Sequence, residues 1–353
     1  MLRKWRQRVT VTDLVVWGIG LIIGIGVIYG TIETLRSEKY TLENWFDLMI
    51  RGLAQGGVYA LIAMGYTLVY GVLKMINFAH SEVFMSGPFT AVFLAQYLDS
   101  IGLMDQSPIL YVLLLGILSM VVSSGIAIIL ERVAYRPLRG APRLIPLITA
   151  IGASFFLQYT FRGFYGSGVQ AYPLPEVFSQ SIPIGNFRIF VTQIIVIAGA
   201  LIMMMILYGI VQYTKIGKAM RAVSEDKEIS ALMGIDVDRV IVFTFMLGGA
   251  SAGAAGILYA IIFPVVNFFM GFIPGLKAFT AAVLGGIGSV PGAFLGGVLL
   301  GLIESIGPNL FLDGLGIPAP YQLKDAIAFA ILVFILIFRP TGILGERMTQ
   351  AKA

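Results

Sequence analysis

The chain has 353 residues, of which 58% are hydrophobic and 12% are charged, with a mean hydropathy of +0.90. A soluble domain carries about a quarter charged residues, so this composition excludes a soluble fold and indicates an integral membrane protein. The absence of cysteine excludes disulfides and thiolate metal sites, and the single histidine, His80, cannot alone hold zinc or haem. The net charge of +5 comes from basic residues between apolar runs, which does not indicate nucleic-acid binding.

The first element is the apolar run 14–32, which follows the basic segment MLRKWRQRV. This run is longer than the apolar part of a signal peptide, and no A-x-A cleavage pattern follows it. We therefore expect an uncleaved first membrane helix.

Seven further runs meet the length of a membrane helix, which is about 20 mostly apolar residues. They are residues 46–70, 82–98, 109–131, 144–161, 189–212, 240–263 and 322–338. The sequence thus predicts an all-α membrane protein with about eight crossings.

Two stretches interrupt this pattern. In residues 276–303, the central LGGIGSVPGAFLGG breaks a continuous helix. We expect two half-helices that enter and leave on the same external side, enclosed by protein; the alternative is one kinked span and a miscounted helix elsewhere. In residues 71–89, a polar group stands between two apolar segments, as a tight inner loop or as a break within the bilayer.

The basic residues orient the crossings, because cytoplasmic loops carry an excess of Lys and Arg. One side collects most of them: Arg3, Lys4, Arg6, Arg8, Lys74, Arg132, Arg136, Arg139, Arg143, Lys215, Lys218, Arg221, Lys227, Arg239, Arg339, Arg347 and Lys352. The other side receives Arg36, Lys39, Arg162 and Arg188. Both termini are therefore predicted to be cytoplasmic. Arg51, Lys277 and Lys324 stand at helix edges and are expected to reach the interface, with Asp325 paired to Lys324.

Residues 213–240 form one polar segment, in which ten of 28 residues are charged. Ser224 and Asp226 are candidate helix N-caps, and Gly234 stands where a helix-ending glycine is expected. An apolar stripe runs beside the charges at roughly helical spacing: Met220, Val223, Ile229, Leu232 and Met233. The segment is either an amphipathic element that lies in a groove of a partner or an ordinary connecting loop with a surface helix.

Part of this segment, residues 217–235, resembles the cytoplasmic coupling segment of branched-chain amino-acid ABC importer permeases, with the pattern G-x-x-x-R-A, an acidic residue, an Ala and G-I. The matching positions are Gly217, Arg221, Ala222, Asp226, Ala231, Gly234 and Ile235. Three more stretches resemble blocks of this family in the same order: GLAQGGVYALIAMGYTLVYGVLKMINFAHSEVFMSG (52–87), AVLGGIGSVPGAFLGGVLLGLIE (282–304) and FRPTGILG (338–345). Ser81 departs from the family, which commonly has Gly after the histidine.

The resemblance covers about residues 45–345 and implies an ABC importer permease fold. It divides the chain into an N-terminal basic segment with an extra helix (1–44), the permease core (45–345) and a cytoplasmic tail (346–353). The implied protein is a non-catalytic subunit of a transporter for branched-chain or hydrophobic amino acids in the bacterial inner membrane. The implied partners are a second, related permease chain, two ATPase subunits that bind ATP and Mg²⁺, and an external solute-binding protein. This chain is expected to bind no cofactor, and it has no G-x-x-x-x-G-K-[ST] phosphate loop.

The coupling residues expected at the ATPase are Gly217, Met220, Arg221, Ala222, Val223, Asp226, Ile229, Ala231, Leu232 and Gly234. We expect the apolar side chains among them to dock in a groove of the ATPase while Arg221 and Asp226 fix the orientation. The translocation path is expected near Asn77, His80, Ser81 and Glu82 in one half, and near Gly285, Gly286, Gly288 and Ser289 in the other, where half-helix ends can approach it. In the alternative interpretation, these polar residues cap helices and the glycines permit close packing.

Two other functions stay open on the sequence alone. Urea and short-chain amide permeases share the family architecture, and nothing in the sequence separates them. A channel or ion-coupled secondary transporter belongs to a different class and needs buried charges, for which Glu82 and His80 are the best candidates. In such a protein the polar segment 213–240 has no role. No H-E-x-x-H or G-x-S-x-G pattern indicates an intramembrane enzyme.

Overall fold

The computed structural model describes residues 11–142, 144–185, 187–339 and 341–345, with only the backbone for residues 11–16 and 184. The predicted cytoplasmic bases before residue 11, Arg143 and the tail 346–353 lie outside the described residues. The helices are α1 (Val11–Arg36), α2 (Leu42–Leu73), α3 (His80–Ser100), α4 (Leu103–Gln106), α5 (Pro108–Leu130), α6 (Leu144–Tyr165), α7 (Val191–Tyr213), α8 (Lys215–Glu225), α9 (Lys227–Leu232), α10 (Val237–Ile262), α11 (Phe272–Gly285), α12 (Val290–Gly307) and α13 (Lys324–Phe338). The strands are β1 (Gln170–Ala171), β2 (Ser181–Ile184), β3 (Phe187–Phe190) and β4 (Val265–Val266).

Among the described residues, eight helices are long and apolar enough to cross a membrane, which confirms the predicted all-α membrane fold. Seven of them coincide with predicted crossings. The eighth is α12, which the sequence placed in the interrupted block. Helix α3, which contains the predicted crossing 82–98, has 21 residues but is too polar to meet the same criterion of length and composition.

The bundle has two chemically different ends. One carries Lys74 and the segments 131–142, 213–236 and 341–345, and we refer to it as the basic end. The other carries the strands and is referred to as the strand end. There β1 pairs antiparallel with β4, with Gln170 opposite Val266, and β2 and β3 form a hairpin.

The central helix is α2, which is buried on all sides over most of its length. It runs antiparallel to α12, and their contact is made of small residues: a methyl group on Gly56 would lie 2.9 Å from the carbonyl oxygen of Gly297, and one on Gly301 would overlap the backbone of Gly56. Lipid tails are as apolar as side chains, so helices in a bilayer associate through such close packing. The glycines of the two family-like blocks 52–87 and 282–304 are thus in contact.

The glycine-rich block is broken at Gly286–Ser289, as predicted. Helix α11 is short, whereas α12 continues to Leu312 and is long enough to cross a membrane, so it is not the predicted half-helix. Gly286 and Gly288 have φ angles of 105° and 106°, which favour glycine, and the chain reverses there so that α11 and α12 pack antiparallel. The first residues of α11 and the last residues of α12 lie toward the strand end. The turn is held at the basic end by backbone hydrogen bonds, from Ile343 N to Leu284 O and from Leu344 N to Gly285 O, both 2.9 Å. The C-terminal segment thus closes over the turn.

The second interruption lies between α2 and α3. Lys74 ends α2 in the left-handed region with φ of 57°, and the chain turns back so that α3 begins beside the interior of α2. The ring centroids of His80 and Tyr66 are 4.7 Å apart, and Tyr66 precedes the end of α2 by two turns. The region is therefore a tight loop at the basic end followed by a helix that starts inside the bundle.

Helix α1 lies at the edge of the bundle, with most of its apolar side chains exposed. It contacts the π-helical turn Pro308–Leu312, where the backbones of Gly30 and Phe311 touch. Lys39 forms an ion pair of 2.8 Å with Asp313 at the same place. The N-terminal helix is thus attached to the core at the strand end.

Candidate functional site

The polar segment folds into two short helices, α8 and α9, at the basic end. Thr214 accepts a hydrogen bond from Gly217 N at 3.1 Å and begins α8. Asp226 accepts from Glu228 N at 2.8 Å and Ile229 N at 2.9 Å and begins α9. Gly234, with φ of 84°, follows α9 in the left-handed region. The predicted roles of Asp226 and Gly234 are confirmed, whereas Ser224 lies inside α8, where it donates to Arg221 O, and is not a cap.

One part of the predicted docking face points into the bundle. Met220 and Val223 are buried against the chain's own hydrophobic core. Gly217 lies against α7 so closely that a methyl group there would overlap the carbonyl of Ile210. These side chains are not available to a partner, which corrects the predicted docking face: α8 uses its apolar stripe to pack on its own bundle.

The other part of the stripe is exposed on α9 and the residue after it. Ile229, Leu232 and Met233 are exposed, with 87% of Leu232 accessible, and Ala231 lies beside them. Ala222 is half-buried between the two faces. Large apolar side chains that cluster at the polar end of a membrane protein indicate a contact with another protein. We refer to Ile229, Leu232 and Met233 as the α9 tip.

Arg221 and Asp226, which we expected to orient a partner, are both used within the chain. Arg221 donates to the carbonyl oxygens of Val211 and Gln212 and, at 3.1 Å, to Oε1 of Gln212. The last carbonyls of a helix lack intrahelical donors, so Arg221 closes the end of α7. Asp226 is occupied as the N-cap of α9. Both residues thus have structural roles in the fold, and their orienting role at a partner stays a prediction.

An ionic cluster of two arginines and two acids lies beside α9 and was not predicted from the sequence. Arg139 contacts both Asp238 at the start of α10 and the fully buried Glu131, and Arg136 pairs with Asp238 at 2.6 Å. Lys227 of α9 lies nearby. Partial burial lowers its pKa, and the charges of Arg139 and Lys74 lower it further. In the run ERVAYRPLRG, Glu131 precedes Arg139 by eight residues, which could have indicated an ion pair. Only the fold shows that Glu131 is buried and pairs with this arginine.

The four polar residues predicted for the translocation path point to four different neighbours. Asn77 Oδ1 accepts from the hydroxyl of Tyr135 at 2.7 Å, and His80 packs on α2. Ser81 faces Gly275 of α11. Glu82 Oε1 accepts from Ser81 at 3.2 Å and, on α6, from Ser154 at 3.0 Å and Gln158 at 2.7 Å. All four are buried, and none of them lines either of the two cavities described below.

The second predicted group forms the turn of the glycine-rich hairpin. Gly285 packs on Gly292, Gly286 packs on Gly342 and Gly345, and Ser289 accepts from Gly292 N at 3.2 Å to begin α12. Gly288 is needed for its positive φ. Between the two groups lies a cavity of about 10 Å³. This volume suffices for one water molecule and not for an amino acid. It is lined by Tyr66, Tyr70, Ile76, Phe279, Ala282 and Ile287.

A much larger cleft, with a volume of about 740 Å³, opens at the strand end. It lies between the first turns of α2, the β2–β3 hairpin and the π-helical turn after α12. Its lining includes Tyr40, Asp47, Arg51, Phe187, Arg188 and Asn309. Arg51 pairs with Asp47 at 2.8 Å and remains more than half exposed, in agreement with its predicted position at the interface.

Lys277 does not reach the interface as predicted. It is 3% exposed and lies 2.6 Å from Oε1 of Glu304, which is 1% exposed, and 2.5 Å from Oδ1 of Asp325. Asp325 therefore pairs with Lys277 and not with Lys324, whose amine lies 3.9 Å from Glu304 and 4.7 Å from the ring centroid of Tyr321. An unpaired charge in an apolar interior is costly, so each charge here finds an opposite one.

Comparison with known proteins agrees with this architecture. The family model described as "Branched-chain amino acid transport system / permease component" matches residues 48–336. The chain belongs to this family of permeases. It is 44% identical over 309 residues to the high-affinity branched-chain amino acid transport system permease protein BraD of Pseudomonas aeruginosa, which covers 86% of this chain and 97% of that protein. It is 41% identical over 312 residues to LivH of Escherichia coli K12, over 87% of this chain and 96% of that protein.

A more distant permease, the probable branched-chain amino acid transport permease protein LivH of Methanocaldococcus jannaschii, is 27% identical over 329 residues. No solved structure matches. The family match and the eight apolar helices identify this permease as a multi-pass membrane protein of amino-acid transport. Helix α1 lies outside the matched residues.

Proposed function

We propose that the chain is the membrane subunit of an ATP-driven ABC importer for branched-chain amino acids. The single observation that supports this best is the match of nearly the full length of BraD and LivH, whose names describe that transport system. The chain provides the path through the bilayer, and separate ATPase subunits supply the energy. A second, related permease chain and an external solute-binding protein complete the complex.

In this proposal, the α9 tip is the contact with the ATPase. Ile229, Leu232 and Met233 form an exposed apolar patch among charged residues, and a groove on a soluble subunit can bury it. The surrounding charges of both signs, such as Lys218 and Glu228, then form a polar rim. The contact is smaller than predicted from the sequence because Met220 and Val223 are absent from it.

The buried face of α8 explains how movement of the tip reaches the membrane helices. Met220 and Val223 lie in the bundle, and Arg221 binds the end of α7. Asp238 at the start of α10 is tied to Arg136 and Arg139 beyond α5. A displacement of α9 by the ATPase is thus transmitted to α7 directly and to α5 and α10 through the ionic cluster.

The basic end faces the cytoplasm in this proposal, since Lys74, Arg132, Arg136, Arg139 and the bases of α8 and α9 lie there. The strand end faces the external solute-binding protein, and the 740 Å³ cleft opens toward it. This orientation places both termini in the cytoplasm of a bacterial inner membrane.

The test is uptake of radiolabelled leucine into proteoliposomes that contain the chain with its partner permease, ATPases and solute-binding protein. We expect ATP-dependent uptake of leucine and none of urea. Uptake of urea alone contradicts the amino-acid assignment and supports an amide permease, and leucine uptake without ATP supports an ion-coupled carrier.

The variant Leu232→Asp tests the tip. Loss of one anchor side chain at a protein interface weakens binding about tenfold or more, and a buried carboxylate adds to this loss. We expect Leu232→Asp to reduce ATPase binding and uptake, and Val177→Asp, at the strand end, to leave ATPase binding unchanged. Equal binding of the ATPase to both variants contradicts the coupling role of the tip.

A further inference from the structure

One face of α2 carries a row of polar side chains that leads from the outer cleft into the bundle. Asp47, Arg51, Gln55 and Tyr59 follow one another at intervals of four residues, so they lie on one side of the helix. Asp47 pairs with Arg51 at 2.8 Å, and Gln55 Nε2 donates to Tyr59 OH at 2.7 Å. Exposure falls along the row, from the half-exposed Asp47 and Arg51 to the buried Tyr59. We refer to these four residues as the α2 polar row.

The row starts in the cleft at the strand end and ends at the buried ion pair. Asp47 and Arg51 line the 740 Å³ cleft. At the other end, Glu304 Oε1 lies 3.2 Å from Gln55 Nε2 and 3.4 Å from Tyr59 OH. Lys277 Nζ lies 3.4 Å from Tyr59 OH. In a membrane-spanning bundle, charged side chains that face the interior mark a substrate path.

At the inner end of the row, only one of the two oxygens of Glu304 is hydrogen-bonded. Oε1 accepts hydrogen bonds from Gln55, Tyr59 and Lys277, whereas the buried Oε2 has no hydrogen-bond partner among the described residues. A buried carboxylate oxygen without a donor is costly unless a donor arrives in another state. Lys277 also has two acidic partners, and one of them, Asp325, is 45% exposed, so its side chain keeps contact with solvent although Oδ1, which faces Lys277, is buried.

We propose that Glu304 and Lys277 recognise the two charged ends of the transported amino acid. The ammonium group binds at the free oxygen of Glu304, and the carboxylate binds Lys277 in place of Asp325. The ligand class is a zwitterionic α-amino acid, whereas an uncharged amide such as urea gains nothing from this pair. The inference rests on the proposed function, and it places the path along α2, α11 and α12. Asn77, His80, Ser81 and Glu82 then have structural roles in the loop before α3 and in its first turn.

The test replaces both charges by apolar side chains of similar size, Lys277→Met with Glu304→Met. Removal of one partner leaves an isolated buried charge, whereas replacement of both members of a buried pair is often neutral for stability. The charge that loses its partner in the double variant, Asp325, is 45% exposed. If the pair is only structural, the double variant therefore folds and transports normally. The matched control is the ion pair Lys39–Asp313, changed to Lys39→Gln with Asp313→Asn, which lies off the row.

The measurements are ATP-driven leucine uptake in the complete reconstituted complex and melting temperature in detergent. We expect the double variant to lose uptake at least about tenfold, as loss of a charged hydrogen bond implies, with an unchanged melting temperature. The control should keep its uptake. Normal uptake by the double variant overturns the proposal.

Two further outcomes are separable. If the unaltered complex does not take up leucine, the proposed function fails, and the recognition of a zwitterion fails with it. If the double variant does not fold, the substitution Gln55→Leu decides, because it removes one polar member of the row and keeps every charge. A severalfold loss of uptake with Gln55→Leu at unchanged melting temperature supports the proposal, and unchanged uptake overturns it.

Discussion

At the scale of single residues, the chain uses long basic side chains to close its own helix ends. Arg221 satisfies two carbonyl oxygens at the end of α7 as well as the side chain of Gln212. The guanidinium offers five donors in a planar fork, which suits a group of converging oxygens. The contacts of Arg221 within its own fold thus give this family-like arginine a structural role, and its contact with a partner stays a prediction.

We expect Arg221→Met to lower the stability of the permease by about 1–2 kcal/mol, because the carbonyl oxygens of α7 lose their donors. The check is the melting temperature of the purified protein in detergent. Lys218→Met is the matched control, since it removes a base from the exposed side of the same helix and should leave the melting temperature unchanged. A loss of ATPase binding at unchanged stability in Arg221→Met contradicts the structural role.

The second prediction at this scale concerns pH and Lys227. Burial and the charges of Arg139 and Lys74 lower its pKa in the folded state, so the folded protein binds this proton less tightly than the unfolded chain does. The charge of Lys227 therefore opposes folding at neutral pH, and this effect fades as the pH rises from the folded pKa to the unfolded pKa of about 10.4.

We expect Lys227→Met to raise the melting temperature at pH 7, and the difference from the unaltered protein to shrink toward pH 10. Lys218→Met serves again as control, with no such pH-dependent difference. A constant difference across this range contradicts the assignment.

At the scale of elements, the contact of α2 with α12 holds the interior together. Its small residues bring two backbones into van der Waals contact. This packing stabilises the pair of helices in lipid, where the hydrophobic effect does not drive helices together. Gly52 and Gly56 of α2 face Gly297 and Gly301 of α12. The same contact positions Glu304 beside Gln55, so the packing and the polar row depend on one interface.

We expect Gly301→Ala to destabilise the bundle by about 1–3 kcal/mol, because the added methyl group overlaps the backbone of Gly56 and forces the helices apart. Gly209→Ala in α7 is the control. Nothing lies within 4 Å of a methyl group there, and the helix propensity of Ala favours the change by up to about 1 kcal/mol. The melting temperatures of the two variants are measured in detergent, and equal values contradict the close packing of α2 and α12.

At the scale of the whole molecule, the two ends differ in charge and in form. The basic end carries the α9 tip and the ionic cluster of Arg136, Arg139 and Asp238, whereas the strand end carries the β-strands and the large cleft. The proposed importer requires this difference, since in that proposal the ATPases bind on one side of the membrane and the solute-binding protein on the other.

The absence of cysteine permits a direct test of this orientation. We expect a membrane-impermeant maleimide to label Val177→Cys in spheroplasts with an intact inner membrane, and to label Lys218→Cys only after that membrane is opened. Both side chains are exposed and lie at opposite ends. Labelling in the reverse order contradicts the predicted cytoplasmic position of the basic end.

Some features of this permease follow from local sequence alone. Hydropathy is a property of a continuous run, so the membrane class, the number of apolar helices and the break at Gly286–Ser289 could be predicted. The cap role of Asp226 and the left-handed Gly234 depend on neighbours within a few residues, and they were predicted for the same reason.

Other features depended on which helices meet, and only the tertiary structure decided them. Met220 and Leu232 share one amphipathic pattern, yet α7 and α10 cover the first and leave the second exposed. Lys277 looked like a lysine at a helix edge until α12 and α13 brought Glu304 and Asp325 to it over 27 and 48 positions of sequence. Periodicity assigns a residue to a face of its helix, but the partner of that face is set by packing between elements distant in the chain.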